Sequence, residues 1–242
     1  SRGLGLVYVE ELLKNPENFV IATARNPSTA AELGALAAKY SNDRVAVLQL
    51  DMASPESIQN AATEAIKLFP EGLDCLVGNA GTNDQPVPTF EQLDLKLFSE
   101  ELNLMIINNT ILIRSFLPLI RKGKPGKLIF ISSVLGSVEL AATLPTLNDA
   151  YSVSRAALNM LIRKWGAALK SEGISSAIVH PGLVATTEIG SGITKWMEKN
   201  APHVPKTPIA ECAAGSVKIF ETLNIENTNS FYSAVDGSKL PW

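Results

Sequence analysis

Apolar residues along the chain follow two alternating patterns. Short, continuously apolar runs rich in β-branched residues alternate with longer stretches in which apolar residues recur every three or four positions. The short runs predict strands at Phe19–Ala24, Arg44–Leu50, Leu73–Gly78, Lys127–Ser132, Ser175–His180 and Ser230–Ser233. The longer stretches predict helices near Gly5–Lys14, Ser28–Tyr40, Pro55–Phe69, Phe90–Arg121, Asp149–Ser171 and Pro208–Thr222.

This alternation predicts the class of fold. Strands such as Lys127–Ser132 are apolar at successive positions, which indicates that helices cover both of their faces. Strands that alternate with helices favour right-handed crossovers and an α/β, Rossmann-like, doubly wound parallel sheet. The chain has no internal repeat, low-complexity segment or linker, so we expect residues 1–242 to form a single domain.

The first residues depart from that pattern. The chain begins at Ser1 and passes almost at once into a helix, without a strand before it. In a doubly wound nucleotide-binding fold the first strand lies in the middle of the sheet. We therefore expect a first β-strand, missing from the sequence shown, within roughly 8–12 further residues.

Composition and charge narrow the possible partners. With 46% apolar residues, 19% charged residues and a net charge of −3, the chain resembles a soluble globular protein, and nucleic acid is not the predicted partner. No apolar stretch comes close to the roughly 18 residues that span a bilayer, and no signal peptide is visible, so no membrane partner is predicted. Two cysteines, Cys75 and Cys212, favour a reducing, cytoplasmic location.

A glycine-containing turn precedes the first helix. In Ser1-Arg2-Gly3-Leu4-Gly5, glycine lets the backbone approach a pyrophosphate, and the helix N-terminus offers free N–H groups. Such a pair of glycines is also common in ordinary turns, and its place before the first helix is what favours phosphate binding.

Charged residues at strand ends indicate which dinucleotide is bound. Arg25 follows a predicted strand where NAD-binding folds usually carry an acidic residue, and an arginine suits the 2′-phosphate of NADP(H). Arg2 would be a second cation there, although both arginines are also compatible with a solvated surface. Asp51 ends the next strand and is predicted either to accept from the adenine amino group or to cap a helix.

The candidate catalytic group is a tyrosine four residues before a cation. Tyr151 and Arg155 lie on one face of a predicted helix, Ser133 ends an apolar strand, and Asn103 lies in the preceding helix. A phenol is a weak acid until its anion is stabilised. A cation about 4.5 Å away stabilises the phenolate anion by roughly 3–4 kcal/mol at an effective dielectric near 20. Taken singly these residues mean little, because a tyrosine and an arginine on one helix are more often an ordinary surface pair.

Taken in order along the chain, these motifs resemble the short-chain dehydrogenase/reductase family. The resemblance covers nearly the whole chain, and the ending Asp236–Trp242 is similar to the carbonyl-reductase branch with the sniffer, C-factor-like and fungal ketoreductase proteins. It implies a catalytic tetrad of Asn103, Ser133, Tyr151 and Arg155. It implies an NADP(H) shell of Ser1, Arg2, Gly3, Gly5, Arg25, Asp51, Met52, Asn79, Ala80, Gly81, Tyr151, Arg155, Pro181, Gly182, Val184 and Thr186.

Three features of the sequence depart from the family pattern. Arg155 stands where the family has lysine; it keeps the charge but cannot give up a proton, so activity is expected to be possible but impaired. Gly78 stands where a further asparagine is usual. The Ser133–Tyr151 interval is about five residues longer than usual, and the extra Leu140–Asn148 loop is expected to border the substrate.

Three functional hypotheses follow. The first is an NADPH-dependent carbonyl reductase of a hydrophobic ketone or aldehyde; the others are a redox-silent binding or scaffolding protein and a non-redox isomerase or dehydratase.

The amphipathic segment Thr187–Pro205 is expected either to be a lid over the substrate or to pack on the surface. His180 is expected to have a packing role. No residue spacing predicts a metal site, and a homodimer or homotetramer is a possible assembly.

Overall fold

Strands and helices alternate through the computed structural model, which describes residues 1–41, 43–86, 88–143, 147 and 149–242. Strands β1 to β6 are Val20–Ala24, Val45–Gln49, Cys75–Gly78, Lys127–Ile131, Ser175–His180 and Ser230–Ser233. Helices α1 to α8 are Gly3–Leu13, Ala31–Ala37, Pro55–Leu68, Leu95–Leu102, Asn109–Ile120, Asp149–Leu169, Glu188–Asn200 and Ile209–Thr222. The six predicted strands are confirmed.

The strands pair in parallel, as predicted. β1 pairs with β2, and β3, β4, β5 and β6 follow one another in a second sheet. Among the described residues, β1 and β3 each pair with a strand on one side only, and a cleft runs between them. The expected additional first strand stays a prediction.

Helices cover both faces of the larger sheet. Along β4, Leu128 and Phe130 pack against α3, α5 and α6, whereas Ile129 and Ile131 pack against α1 and α8. Every residue of β4 is buried. The continuous apolar pattern of this strand is therefore explained by helices on its two sides.

The predicted helix Phe90–Arg121 is not continuous, which corrects the sequence prediction. Phe90–Gln92 forms a 3₁₀ turn, and the carboxylate of Asp94 caps α4 by accepting from two backbone N–H groups. Between α4 and α5 the backbone takes a π-helical form over Asn103–Asn108. A π turn is wider than an α turn, so it changes the face on which the following side chains lie.

The same segment corrects the statement that no stretch is long and apolar enough to span a bilayer. Leu95–Ile120 meets that criterion by length and composition. Part of its apolar surface belongs to the core, since Ile113, Leu119 and Ile120 are almost completely buried against α3 and the sheet, whereas Leu95 and Ile107 are exposed.

Two further helices differ from the prediction. The Ser28–Tyr40 stretch divides into a 3₁₀ turn at Pro27–Thr29 and the shorter α2. The amphipathic segment after β5 contains a regular helix, α7, whose first turn is capped by the Thr187 hydroxyl accepting from the Gly190 N–H.

Candidate active site

A cleft of about 1850 Å³ lies at the carboxyl ends of the strands and continues between the two sheets. Ligands bind at this edge in open parallel sheets. All the predicted site residues except Asn103 line it, namely Ser1, Arg2, Gly3, Gly5, Arg25, Asp51, Met52, Asn79, Ala80, Gly81, Ser133, Tyr151, Arg155, Pro181, Gly182, Val184 and Thr186. The fold thus brings together residues that are up to 185 positions apart in the sequence (186 − 1).

The glycine turn forms one end of the cleft. Gly3 begins α1 with a φ of +53°, a left-handed conformation that favours glycine. A Cβ atom at Gly5 would lie 2.7 Å from the Asn79 side-chain nitrogen. The first turn of α1 therefore packs directly against the Asn79-Ala80-Gly81 turn, and a side chain at Gly5 would displace the Asn79 amide.

The two candidate phosphate-binding arginines lie on the rim of the cleft. Arg25 Nε is 3.8 Å from Asp51 Oδ1, and Arg2 Nη2 is 3.0 Å from Glu188 Oε2 at the start of α7. Both arginine side chains are largely exposed. Exposed ion pairs are weak, so both guanidinium groups can exchange a carboxylate for a phosphate.

Asp51 does not cap α3, which removes the competing interpretation of this residue. Its carboxylate accepts from the Ala53 N–H in a local turn, whereas Ser54 caps the helix by accepting from the Ser57 N–H. Part of the Asp51 carboxylate therefore remains free to face the cleft.

Tyr151 and Arg155 meet on α6, as predicted. The guanidinium carbon of Arg155 is 4.6 Å from the centre of the Tyr151 ring. Arg155 Nη1 donates to the Ile131 carbonyl oxygen at 3.1 Å, and its Nε has no hydrogen-bond partner within the described residues. The side chain is buried, with 2% exposed. The cation thus lies against the face of the phenol ring.

Gly81 forms a further wall of the Arg155 site. A Cβ atom at Gly81 would lie 2.2 Å from Arg155 Nη2. The guanidinium is consequently held between a glycine, a backbone carbonyl and an aromatic ring. Arginine fits at this position because Gly81 leaves the necessary space.

The two serines at the end of β4 have different roles. The Ser132 hydroxyl donates to Asn159 Oδ1 at 2.7 Å, and Asn159 Nδ2 donates to the Gly136 carbonyl oxygen, so β4 is tied to α6. Ser133 Oγ accepts from the Leu135 N–H at 3.2 Å. A serine hydroxyl that accepts one bond can still donate its hydrogen. Ser133 therefore retains a donor at the cleft.

Asn103 is not brought to the cleft, which corrects its predicted place beside Ser133 and Tyr151. Its side chain is exposed, at the beginning of the π segment. Asn109, six residues later, is buried and lines the cleft, with its Nδ2 donating to the Met105 carbonyl oxygen at 3.1 Å. The widened turn between them presents the second asparagine, not the first, to the site.

Packing accounts for another departure from the family pattern. A Cβ atom at Gly78 would lie 2.3 Å from the ring of Phe130 on the neighbouring strand. Asparagine cannot occupy this position unless Phe130 moves. Gly182, with a φ of +96°, likewise leaves no room for a side chain beside Thr207.

The other end of the cleft is apolar. The side chains that α7 and its neighbours contribute there include Leu135, Leu147, Leu183, Ile193, Met197 and Val204. Residues 144–146 and 148 of the predicted substrate loop lie outside the described residues. Because α7 covers this end with Ile193 and Met197, the segment packs over the cleft rather than on a remote surface.

His180, expected to have a packing role, also lines the cleft at the end of β5. Its Nδ1 is enclosed and has no hydrogen-bond partner in the described part of the chain. Burial lowers the pKa of His180 to about 4, so the imidazole is neutral at physiological pH. Among the described residues, no three His, Cys, Asp or Glu side chains are grouped as metal ligands would be. The predicted absence of a metal stays a prediction.

Comparison with known proteins identifies the family. The family model for short chain dehydrogenases matches residues 1–198. The chain belongs to the short-chain dehydrogenase/reductase family. This is an oxidoreductase family, and the resemblance of the sequence motifs is confirmed.

Individual relatives support the assignment of this short-chain dehydrogenase to the family. Short-chain dehydrogenase srdF of Neurospora crassa is 30% identical over 248 residues, covering 100% of this chain and 94% of that protein. The NADPH-bound carbonyl reductase from chicken fatty liver is 28% identical, with a TM-score of 0.86 over 100% of this chain and 95% of its own. Carbonyl reductase Sniffer of D. melanogaster has the same TM-score of 0.86 at 24% identity over 100% and 96%, a likeness of fold.

Sequence reasoning missed two buried polar residues near the site of this short-chain dehydrogenase. The place of Asn109 at the cleft depends on a π turn, which the spacing of apolar residues does not indicate. The available sequence signal is the pair of adjacent amides, Asn108 and Asn109, inside an apolar helix. Glu101 is 2% exposed on α4, and the Ser154 hydroxyl of α6 lies 2.7 Å from it. A charged residue next to the exposed Glu100 gives no sequence signal of burial.

Proposed function

We propose that this short-chain dehydrogenase reduces a ketone or aldehyde with NADPH and that the substrate is apolar. One observation carries the proposal: Tyr151, with the buried cation Arg155 against its ring, lines a cleft with an apolar wall. The polar carbonyl group gains little from contact with apolar side chains. The apolar wall therefore suits a substrate whose other groups are apolar or aromatic.

The cleft fits a dinucleotide. Gly3, Gly5 and the N–H groups of α1 would hold the pyrophosphate, and Arg2 and Arg25 the 2′-phosphate. When bound, the dinucleotide supplies hydride. The NADPH in the chicken carbonyl reductase supports this assignment.

The residues of this chain would then act on the carbonyl oxygen. Tyr151 donates its hydroxyl proton to that oxygen, and Ser133 donates a hydrogen bond to it. Arg155 stabilises the phenolate that remains and keeps its own protons, because a guanidinium does not give up a proton in proteins. Tyr151 must therefore be reprotonated from another source, such as water in the open end of the cleft.

The test is NADPH oxidation with a panel of apolar ketones and aldehydes. Tyr151→Phe is expected to lower kcat by at least about a hundredfold, with a much smaller effect on the NADPH dissociation constant, since the proton donor is removed. Tyr40→Phe, distant from the cleft, is the matched control. Turnover that survives in Tyr151→Phe contradicts the mechanism.

The two alternatives predict different results. A redox-silent protein turns over no carbonyl of the panel, and an isomerase or dehydratase turns over its substrate without consuming NADPH. A cytoplasmic location and a homodimer or homotetramer are further proposals that rest on the sequence.

A further inference from the structure

Glu101 is a buried carboxyl group beside the helix that carries Tyr151. It lies on α4 and is 2% exposed. Its Oε1 is 2.7 Å from the hydroxyl oxygen of Ser154, which is three residues after Tyr151 and one before Arg155. Glu101 does not line the cleft, so any effect on the reaction passes through its neighbours on α6.

Ser154 has two acceptors within reach and one hydrogen to donate. Its hydroxyl oxygen is 2.7 Å from Glu101 Oε1 and also 2.8 Å from the backbone carbonyl oxygen of Tyr151. A carbonyl oxygen only accepts, and a serine hydroxyl has one hydrogen. If Glu101 is ionised, the two short contacts must share the single Ser154 hydrogen, or one of them is not a hydrogen bond. If Glu101 is protonated, it donates to Ser154 and Ser154 donates to Tyr151, so both contacts are satisfied.

The surroundings of Glu101 favour the protonated form. Burial raises the pKa of Glu101, and the carboxylate of Asp84, in the segment after β3, acts in the same direction. The Ser154 hydroxyl and the Arg155 charge, both on α6, act in the opposite direction and are outweighed. These are the titratable and charged groups that face Glu101 from the elements packed around it.

We propose that Glu101 is a positioning residue that acts in its protonated form: through Ser154 it holds the first turn of α6, and with it Tyr151, against the cleft. A neutral Glu101 also leaves the charge of Arg155 fully available to the phenol. The positioning role rests on the proposed function, whereas the protonation state does not.

The protonation state is tested by thermal unfolding of E101Q and wild type between pH 4 and pH 9. A carboxyl whose folded pKa is above its unfolded value contributes stability at low pH and loses it as the pH rises through the folded value. Glutamine does not titrate. The Tm of E101Q relative to wild type is therefore expected to increase with pH, by at least about 2 °C.

The control is E100Q, which changes the exposed neighbour of Glu101 that is 3.9 Å from Lys96. Its Tm difference from wild type is expected not to increase with pH over the same range, because an exposed carboxylate near a lysine has no stability to gain from protonation. If the E101Q difference is constant, or if E101Q loses stability relative to wild type as the pH rises, Glu101 is ionised in the folded protein and the proposal is wrong.

The positioning role is tested by comparing E101Q with E101L in the carbonyl assay. We expect E101Q to keep kcat within about twofold, and E101L, which cannot donate to Ser154, to lose about tenfold without a change in the KM for NADPH. Equal kcat values in the two variants would refute the role even if the unfolding result holds. If no carbonyl is reduced at all, the proposed function fails and the unfolding result still decides the protonation state.

Discussion

Replacing Gly81 by alanine tests whether the site is built around an arginine. The new Cβ atom would lie 2.2 Å from Arg155 Nη2 and 3.1 Å from its Cζ. Arg155 has little space to retreat, because its Nη1 is bonded to the Ile131 carbonyl and its guanidinium lies on the Tyr151 ring. The substitution therefore forces the cation away from the phenol or strains the turn at Gly81.

The size of the effect follows from Coulomb's law. Normal contact requires a separation of about 3.4 Å, so the guanidinium must move by about 1.2 Å (3.4 − 2.2). With the phenolate charge placed at the ring centre, a dielectric of about 20 and the whole displacement directed away from the ring, the stabilisation of the phenolate falls from roughly 3.6 kcal/mol at 4.6 Å to roughly 2.9 kcal/mol. The difference of about 0.7 kcal/mol corresponds to a rate reduction of about threefold. Loss of the hydrogen bond from Arg155 to the Ile131 carbonyl would reduce the rate further.

The assay measures kcat/KM with NADPH and Tm for Gly81→Ala, in the wild-type and in the Arg155→Lys background. We expect at least a threefold loss of kcat/KM and a Tm lower by a few degrees with Arg155, since overpacking costs about 1–3 kcal/mol. With lysine, which lacks the Nη2 atom, most of both losses disappear.

Gly34→Ala is the matched control for this experiment. No atom lies within 4 Å of the Cβ position at Gly34 apart from its own helix and chain neighbours, so alanine there is expected to leave activity unchanged. Equal losses from Gly81→Ala in the wild-type and Arg155→Lys backgrounds would refute the steric argument.

Three other predictions concern the cofactor, the substrate and acid stability. Arg25→Ala is expected to raise the KM for NADPH about tenfold and leave that for NADH unchanged, since a charged contact to the 2′-phosphate is lost; equal changes for both dinucleotides contradict the assignment. Ile193→Ala, which removes apolar surface from the cleft wall, is expected to raise the KM for an apolar ketone about tenfold with little change in kcat, and an unchanged KM in steady-state assays would place the substrate elsewhere. Because the pKa of His180 is lowered from 6.5 to about 4, the unfolded chain takes up a proton first, and up to about 3 kcal/mol of stability is lost as the pH falls between these values. Denaturant unfolding should show that the free energy of unfolding falls less between pH 7 and pH 5 in His180→Gln than in wild type. Equal losses in the two proteins would contradict this role of His180.

The strands and most of the site could be predicted from the sequence. Continuously apolar runs such as Lys127–Ile131 are local, and a run buried on both faces differs from a helical pattern within a few residues. Glycine turns, Tyr151 and Pro181-Gly182 follow strands or begin helices, and parallel topology alone brings the carboxyl ends of strands to one edge. The cleft therefore follows from the order of the motifs.

Contacts between distant elements followed only from the tertiary structure. The π turn places Asn109, not Asn103, at the cleft, and the packing of α4 on α6 buries Glu101 beside Ser154. The space for the Arg155 guanidinium depends on Gly81, which is 74 positions away in the sequence (155 − 81). These features depend on the phase of one helix and on gaps of about one atom between packed elements. Local periodicity determines which face of an element is apolar, but it does not determine such distances.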